Sequence, residues 1–157
     1  MSNRETVEAC LRELGGVRGI DLSLDADGLV AMSFESGHRL TLEVPETGDR
    51  LFGHIGVKHL DLHDGAIEMR RALELNLFGL ATPAAWVAVD PETTLVTLCA
   101  VRETTGLDGE ALGDWIAALL DDVATVAAVV GGWEPAAAND AEAAEPAFAD
   151  DMFIIRG

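Results

Sequence analysis

Residues Arg71–Trp86 read RALELNLFGLATPAAW, and this stretch decides how the chain is laid out. Leu73, Asn76 and Leu77 recur at the spacing of one helix face, and Gly79 stands where a helix would stop. Ala85-Trp-Val-Ala-Val-Asp90 then reads as a strand. The turn Asp90-Pro-Glu-Thr93, with proline at its first inner position, leads into a second strand over Thr94–Arg102. Neither strand alternates with polar residues: Trp86, Val87, Val89, Leu95, Val96, Leu98, Cys99 and Val101 fall on both faces. A strand that is apolar on both sides has to be covered twice. One cover can be a helix of the same domain; the other is a second subunit or a bound chain.

Upstream of this stretch, Asp64 can cap a helix running from about Gly65 to Leu77, with Ile67, Leu73, Asn76 and Leu77 on its apolar face and Met69 and Ala72 beside them. An asparagine among leucines near a helix end has two readings. It can be a cap or a buried amide bonded to nearby backbone, or it can set the register of a dimer interface. Before the helix, Leu51, Ile55 and Val57 suggest a strand weakened by Gly53 and Gly56. Earlier still, three runs alternate apolar and polar residues: Ile20–Leu24, Val30–Phe34 and Leu40–Val44. Asp27-Gly28 is a two-residue hairpin signal between the first two, and Ser36-Gly37 makes the next turn or a bulge. At the start, Ser2-Asn-Arg-Glu5 is a capping box, followed by the stripe Val7, Cys10, Leu11, Leu14 and the stop Gly15-Gly16.

Downstream, Asp108 caps the longest helix, to about Val130. Its wide apolar stripe is Leu112, Trp115, Ile116, Leu119, Leu120, Val123, Ala127 and Val130, and Gly131-Gly132 stops it. The pattern as a whole predicts an α+β domain over residues 1–132. Three helices accompany a twisted antiparallel sheet of five to six strands in the order α-β-β-β(-β)-α-β-β-α. From Trp133 the composition turns to Ala, Glu and Asp with two prolines, so residues 133–157 read as a disordered acidic tail. Its last apolar residues, Met152–Ile155, read either as an incidental sticky end or as a segment that pairs with a sheet edge or occupies an apolar groove.

The 157 residues suit one domain. Ten basic residues face 28 acidic ones, a net charge of −18, and Lys58 is the single lysine. Such a chain repels phosphate backbones, which argues against nucleic acid as a partner. Met1–Cys10 is too polar for a signal peptide, no apolar run reaches the ~18 residues of a membrane span, and Cys10 and Cys99 stand apart. A reduced, cytoplasmic setting without membrane insertion is the expectation.

Motifs for chemistry are sparse. GxxxxGK[ST], GxGxxG and GxSxG are missing, and none of the four serines lies in a nucleophile elbow. No cofactor and no ATP are expected, and no catalytic residue is assigned. The one cluster with ligand chemistry is His54, His59, Asp61, His63 and Asp64. Imidazoles and carboxylates there could serve a metal-dependent hydrolase, but HExxH is missing and solvated loop histidines are the plainer reading. Asp121-Asp122 and Asp150-Asp151 read as solvated faces.

Three pieces together resemble one known family: Leu40-Thr-Leu-Glu-Val-Pro45, Leu73-Glu-Leu-Asn-Leu-Phe-Gly79, and Trp86-Val-Ala-Val-Asp-Pro91. Their order and spacing are similar to those of the CesT/Tir-chaperone family, over about Glu5 to Val130. These are the small acidic chaperones that hold type III secretion effectors in the bacterial cytoplasm. The resemblance implies a homodimer built from the middle helix and the strand after it, here centred on Leu73, Asn76, Leu77, Phe78, Trp86 and Val87. It also implies a non-enzymatic role, with the extended N-terminal segment of a secreted effector as partner. Apolar positions of the first helix and early strands, such as Leu11, Leu22, Leu24, Met32 and Phe34, are the candidates for that contact, some of which must serve the core instead. An adaptor or regulator of the same fold without a secreted client is the alternative within the resemblance.

Overall fold

The computed structural model describes residues 2–61, 65–83 and 85–132. Helix α1 (Asn3–Gly16) opens as its capping box dictates: the Glu5 amide donates to the Ser2 hydroxyl at 3.3 Å, and the Ser2 amide donates to the Glu5 carboxylate at 2.7 Å. Val7, Cys10, Leu11 and Leu14 are buried along one face. The Cys10 thiol donates to the Leu107 carbonyl at 3.3 Å and burial pushes its pKa up, which makes it a packing residue.

Five strands form one antiparallel sheet: β1 (Leu29–Ser33), β2 (Arg39–Glu43), β3 (Arg50–His59), β4 (Trp86–Val89) and β5 (Leu95–Glu103), in the spatial order β1-β2-β3-β5-β4. The alternating run Ile20–Leu24 does not join it. Its two ends are tied elsewhere: the Ile20 amide to the Gly15 carbonyl at 3.0 Å, and the Asp25 amide to the Leu29 carbonyl at 2.8 Å. Leu22 and Leu24 still enter the core, so the alternation reports burial rather than sheet pairing.

The run expected to be weakened by glycines is the longest and most central strand, β3. A Cβ on Gly53 would lie 3.3 Å from side-chain atoms of Leu42 and Trp115 and 3.4 Å from Leu119. A Cβ on Gly56 would lie 3.0 Å from Leu95. The glycines are places where neighbouring side chains lie on bare backbone, one under the helix layer and one on the opposite face.

Helix α3 (Gly109–Val129), capped by an Ala111 amide donating to Asp108 at 2.8 Å, lies across β3 and β5 and against α1. Leu112, Trp115, Ile116, Leu119, Val123 and Val126 close the core. Asp122, expected on a solvated face, is buried on this helix as well.

Helix α2 (Gly65–Leu75) ends two residues sooner than its periodicity predicts. A 3-10 turn, Leu77–Gly79, follows, with Phe78 at φ 59° and Gly79 at φ 63°. A phenylalanine in the left-handed region costs on the order of 1–3 kcal/mol, so something beyond local preference holds this kink. The predicted cap Asp64 lies outside the described residues. The start of α2 is tied down by the only lysine: Lys58 Nζ on β3 donates to Glu68 at 3.0 Å and to the Val130 carbonyl past the end of α3 at 3.4 Å.

Candidate interaction surface

The apolar face of α2 points away from the domain. Only Gly65 and Ala72 of this helix are buried. Ile67 is 64% exposed, Leu73 58%, Leu77 61% and Phe78 85%, with Leu80 beyond the turn also exposed. So many large apolar side chains on α2 and the turn that follows it exceed the scattered exposure normal for a soluble domain, and mark an interaction surface.

A second uncovered area is the sheet face opposite α1 and α3. Thr41, His54, Cys99 and Trp86 are direct cross-strand partners there, one residue from each of β2, β3, β5 and β4. Around them lies a shallow trough of about 520 Å³, whose lining includes Phe52, His54, Trp86, Leu95, Thr97 and Cys99. Trp86 and Val101 are exposed on these strands. The double apolar character of β4 and β5 is therefore satisfied on one side by the domain's own helices and left open on the other. Loss of hydration within the sheet lowers the pKa of His54, partly offset by the Glu43 carboxylate, and raises that of Cys99. Neutral imidazole and neutral thiol make this an apolar, weakly polar strip rather than a charged one.

Asn76 bridges the two areas internally. Its amide nitrogen donates to the Val87 carbonyl at 2.9 Å and its carbonyl oxygen accepts from the Val87 amide at 2.7 Å. The amide side chain is thus spent on backbone of its own chain, the first of the two readings above.

The residues singled out from sequence separate into two groups. Leu73, Leu77, Phe78 and Trp86 lie on the exposed surfaces, whereas Val87 is buried and contributes its backbone to Asn76. Leu11, Leu22, Leu24, Met32 and Phe34 are all buried in the domain's own core. This corrects the expectation that they present apolar side chains to a partner: their alternation and helical spacing pointed at the core layer beneath α1 and α3. Leu80, just after the glycine stop, is an exposed residue that periodicity missed, because it belongs to no regular element.

The histidine cluster does not assemble from the residues in view. His54 and His59 lie on β3 five residues apart, roughly 16 Å along a strand, and His59 Nδ1 is 2.9 Å from the Thr93 carbonyl. His63 and Asp64 lie outside the described residues. Among the described residues, no three His, Cys, Asp or Glu side chains group to hold a metal ion. No described helix is long and apolar enough to cross a membrane.

Comparison with solved structures finds the same fold. A chain of the ExsC-ExsE complex superposes with a TM-score of 0.65 at 24% identity, covering 78% of this chain and 92% of that one. A chain of the HopA1-SchA chaperone-effector complex gives 0.66 at 17% identity, over 77% and 92%. A chain from the Yersinia pestis type III secretion chaperone SycH in complex with a fragment of YscM2 gives 0.59 at 17% identity, over 80% and 99%. No curated protein matches the chain. The sequence model of the Tir chaperone protein (CesT) family matches residues 9–126, and the chain belongs to that family.

Proposed function

We propose that this protein is a non-enzymatic chaperone of the bacterial cytoplasm. It holds the N-terminal segment of a type III secretion effector and keeps it soluble and competent for export. Family membership and the fold shared with chains of chaperone-effector complexes support the reading. The structural observation that carries it is the apolar surface left on α2 and on the open sheet face, large for a chain whose net charge of −18 keeps it in solution.

The apolar surface around α2 and the free edge of β1 have different occupants in this reading. Leu73, Leu77, Phe78 and Trp86 form the centre of a homodimer interface. The client meets main chain as well as side chains. On β1 the hydrogen-bonding groups of Ala31 and Ser33 point away from β2, because Phe34 and Gly28 bond inward to His38 and Val44. An extended client strand can add to that edge, which gives affinity for many sequences without ATP.

Two measurements test this. Co-purification from the native cell should yield a stoichiometric partner, an exported protein, held through its N-terminal region. Sedimentation should show a dimer that Leu77→Asp converts to monomers or aggregates. A wild-type monomer that captures no exported protein sinks the proposal.

A further inference from the structure

Both edge strands have outward backbone groups met by the chain's own residues: Asp25 meets Leu29 at the start of β1, leaving Ala31 and Ser33 open, and the closure along β4 reaches further. On β4 the outward-pointing backbone groups belong to Val87 and Val89, since Trp86 and Ala88 pair directly with Cys99 and Thr97 of β5 and Asp90 bonds inward to Leu95. Ala85, just before the strand, continues the same outward series. Val87 donates to Asn76 Oδ1 and accepts from Asn76 Nδ2. Ala85 donates to the Thr82 carbonyl at 3.2 Å and accepts from the Thr82 hydroxyl at 3.1 Å. A primary amide presents one donor and one acceptor side by side, the same pair that a neighbouring strand would offer. Asn76 therefore occupies the place of one residue of a sixth strand. Thr82, itself buried, fills the next place. The left-handed kink at Phe78 and Gly79 turns the chain back between these two groups, and its strain is accounted for by what it brings together. Val89 is the one outward position of the series with no such partner among the described residues.

We infer that Asn76, assisted by Thr82, closes the β4 edge against strand addition, and that what it excludes is pairing of β4 with β4 of a second copy. Unprotected edges are templates for such pairing, and proteins block them with their own groups. A second copy then joins this chain by packing side chains, through α2 and Trp86, and not by continuing the sheet. The inference does not depend on whether a client is carried, and so stands apart from the chaperone reading.

The test uses the full chain. In light scattering over a wide range of concentration, Asn76→Ala should grow past the wild-type mass as concentration rises. Adding Val89→Pro, which removes the second outward donor of β4 and puts a proline ring in the way of a neighbouring strand at a position where an edge tolerates it, should return it to the wild-type mass. A single variant that tracks the wild type at every concentration overturns the inference, as does growth that the proline leaves unchanged. Should Asn76→Ala not fold, amide exchange on the wild type decides. The Val87 amide should exchange at least about tenfold more slowly than the open-edge amides of Ala31 and Ser33; equal rates overturn it. None of these outcomes involves an effector, so a failed client search and a failed edge test are told apart.

Discussion

Helices α3 and α2 both carry an apolar stripe at helical spacing, yet they end in opposite situations. On α3, Leu112, Ile116, Leu119 and Val123 are essentially without exposed surface. On α2, Ile67 and Leu73 face outward, and the only fully buried residues are the small Gly65 and Ala72, with Leu75 partly buried against the core. The difference lies in where each helix meets the sheet. The longer α3 crosses the central strands β3 and β5, whereas α2 packs at the outer strand β4 and touches α3 near its end. Helical periodicity says which side chains share a face, not which body covers that face.

Substitutions can break or sharpen this contrast. The largest effect is expected from Trp115→Ala, which removes the side chain lying over Gly53 and should cost about 3–5 kcal/mol in urea unfolding. That is a large share of the ~5–15 kcal/mol that holds an ordinary domain together. Next comes Gly53→Val, which forces a branched side chain against Leu42, Trp115 and Leu119. Overpacking of this kind costs about 1–3 kcal/mol; a neutral result would mean that α3 is not seated on β3 as described. On α2, Leu73→Ser should change unfolding by no more than about 0.5 kcal/mol at concentrations too low for association. A loss there as large as that of Trp115→Ala would place α2 in the core and end the comparison.

The smallest effect is a pH dependence from the open sheet face. Loss of hydration holds the His54 pKa below its ordinary value of 6.5, with Glu43 opposing. As pH falls through 6.5 the unfolded chain takes up this proton before the folded one, so stability falls from there down to the folded pKa and levels off below it. His54→Asn should remove that part of the slope between pH 7 and 5 in thermal unfolding. An unchanged slope would show that another group carries it. His38, lowered by burial in the same direction, is the control to vary alongside.

Much of the fold was legible because local signals acted alone. The capping box at Ser2 and Glu5, the Asp108 cap, and the Asp90–Thr93 turn are satisfied within four residues, and each is found as read. The misreadings have one cause in common. Gly53 and Gly56 looked like breaks in a strand, because the helix and leucine side chains that lie on them come from distant parts of the chain. Leu22 and Leu24 looked like a strand, because a half-buried coil alternates as a strand does. Leu11, Leu22, Leu24, Met32 and Phe34 were legible as apolar and periodic, but not as core.

By itself, the sequence determined the order of elements, the apolar character of β4 and β5 on both faces, and the family resemblance carried by Leu40–Pro45 and Leu73–Pro91. Tertiary structure alone decided which apolar faces remain open and what Asn76 does. An apolar pattern states how much surface must be hidden, and hydrogen-bonding capacity states how many partners an amide needs. Which bodies hide the one and satisfy the other depends on contacts between residues far apart in the chain. For Asn76 the partner is Val87, eleven residues on, across the left-handed turn at Phe78 and Gly79.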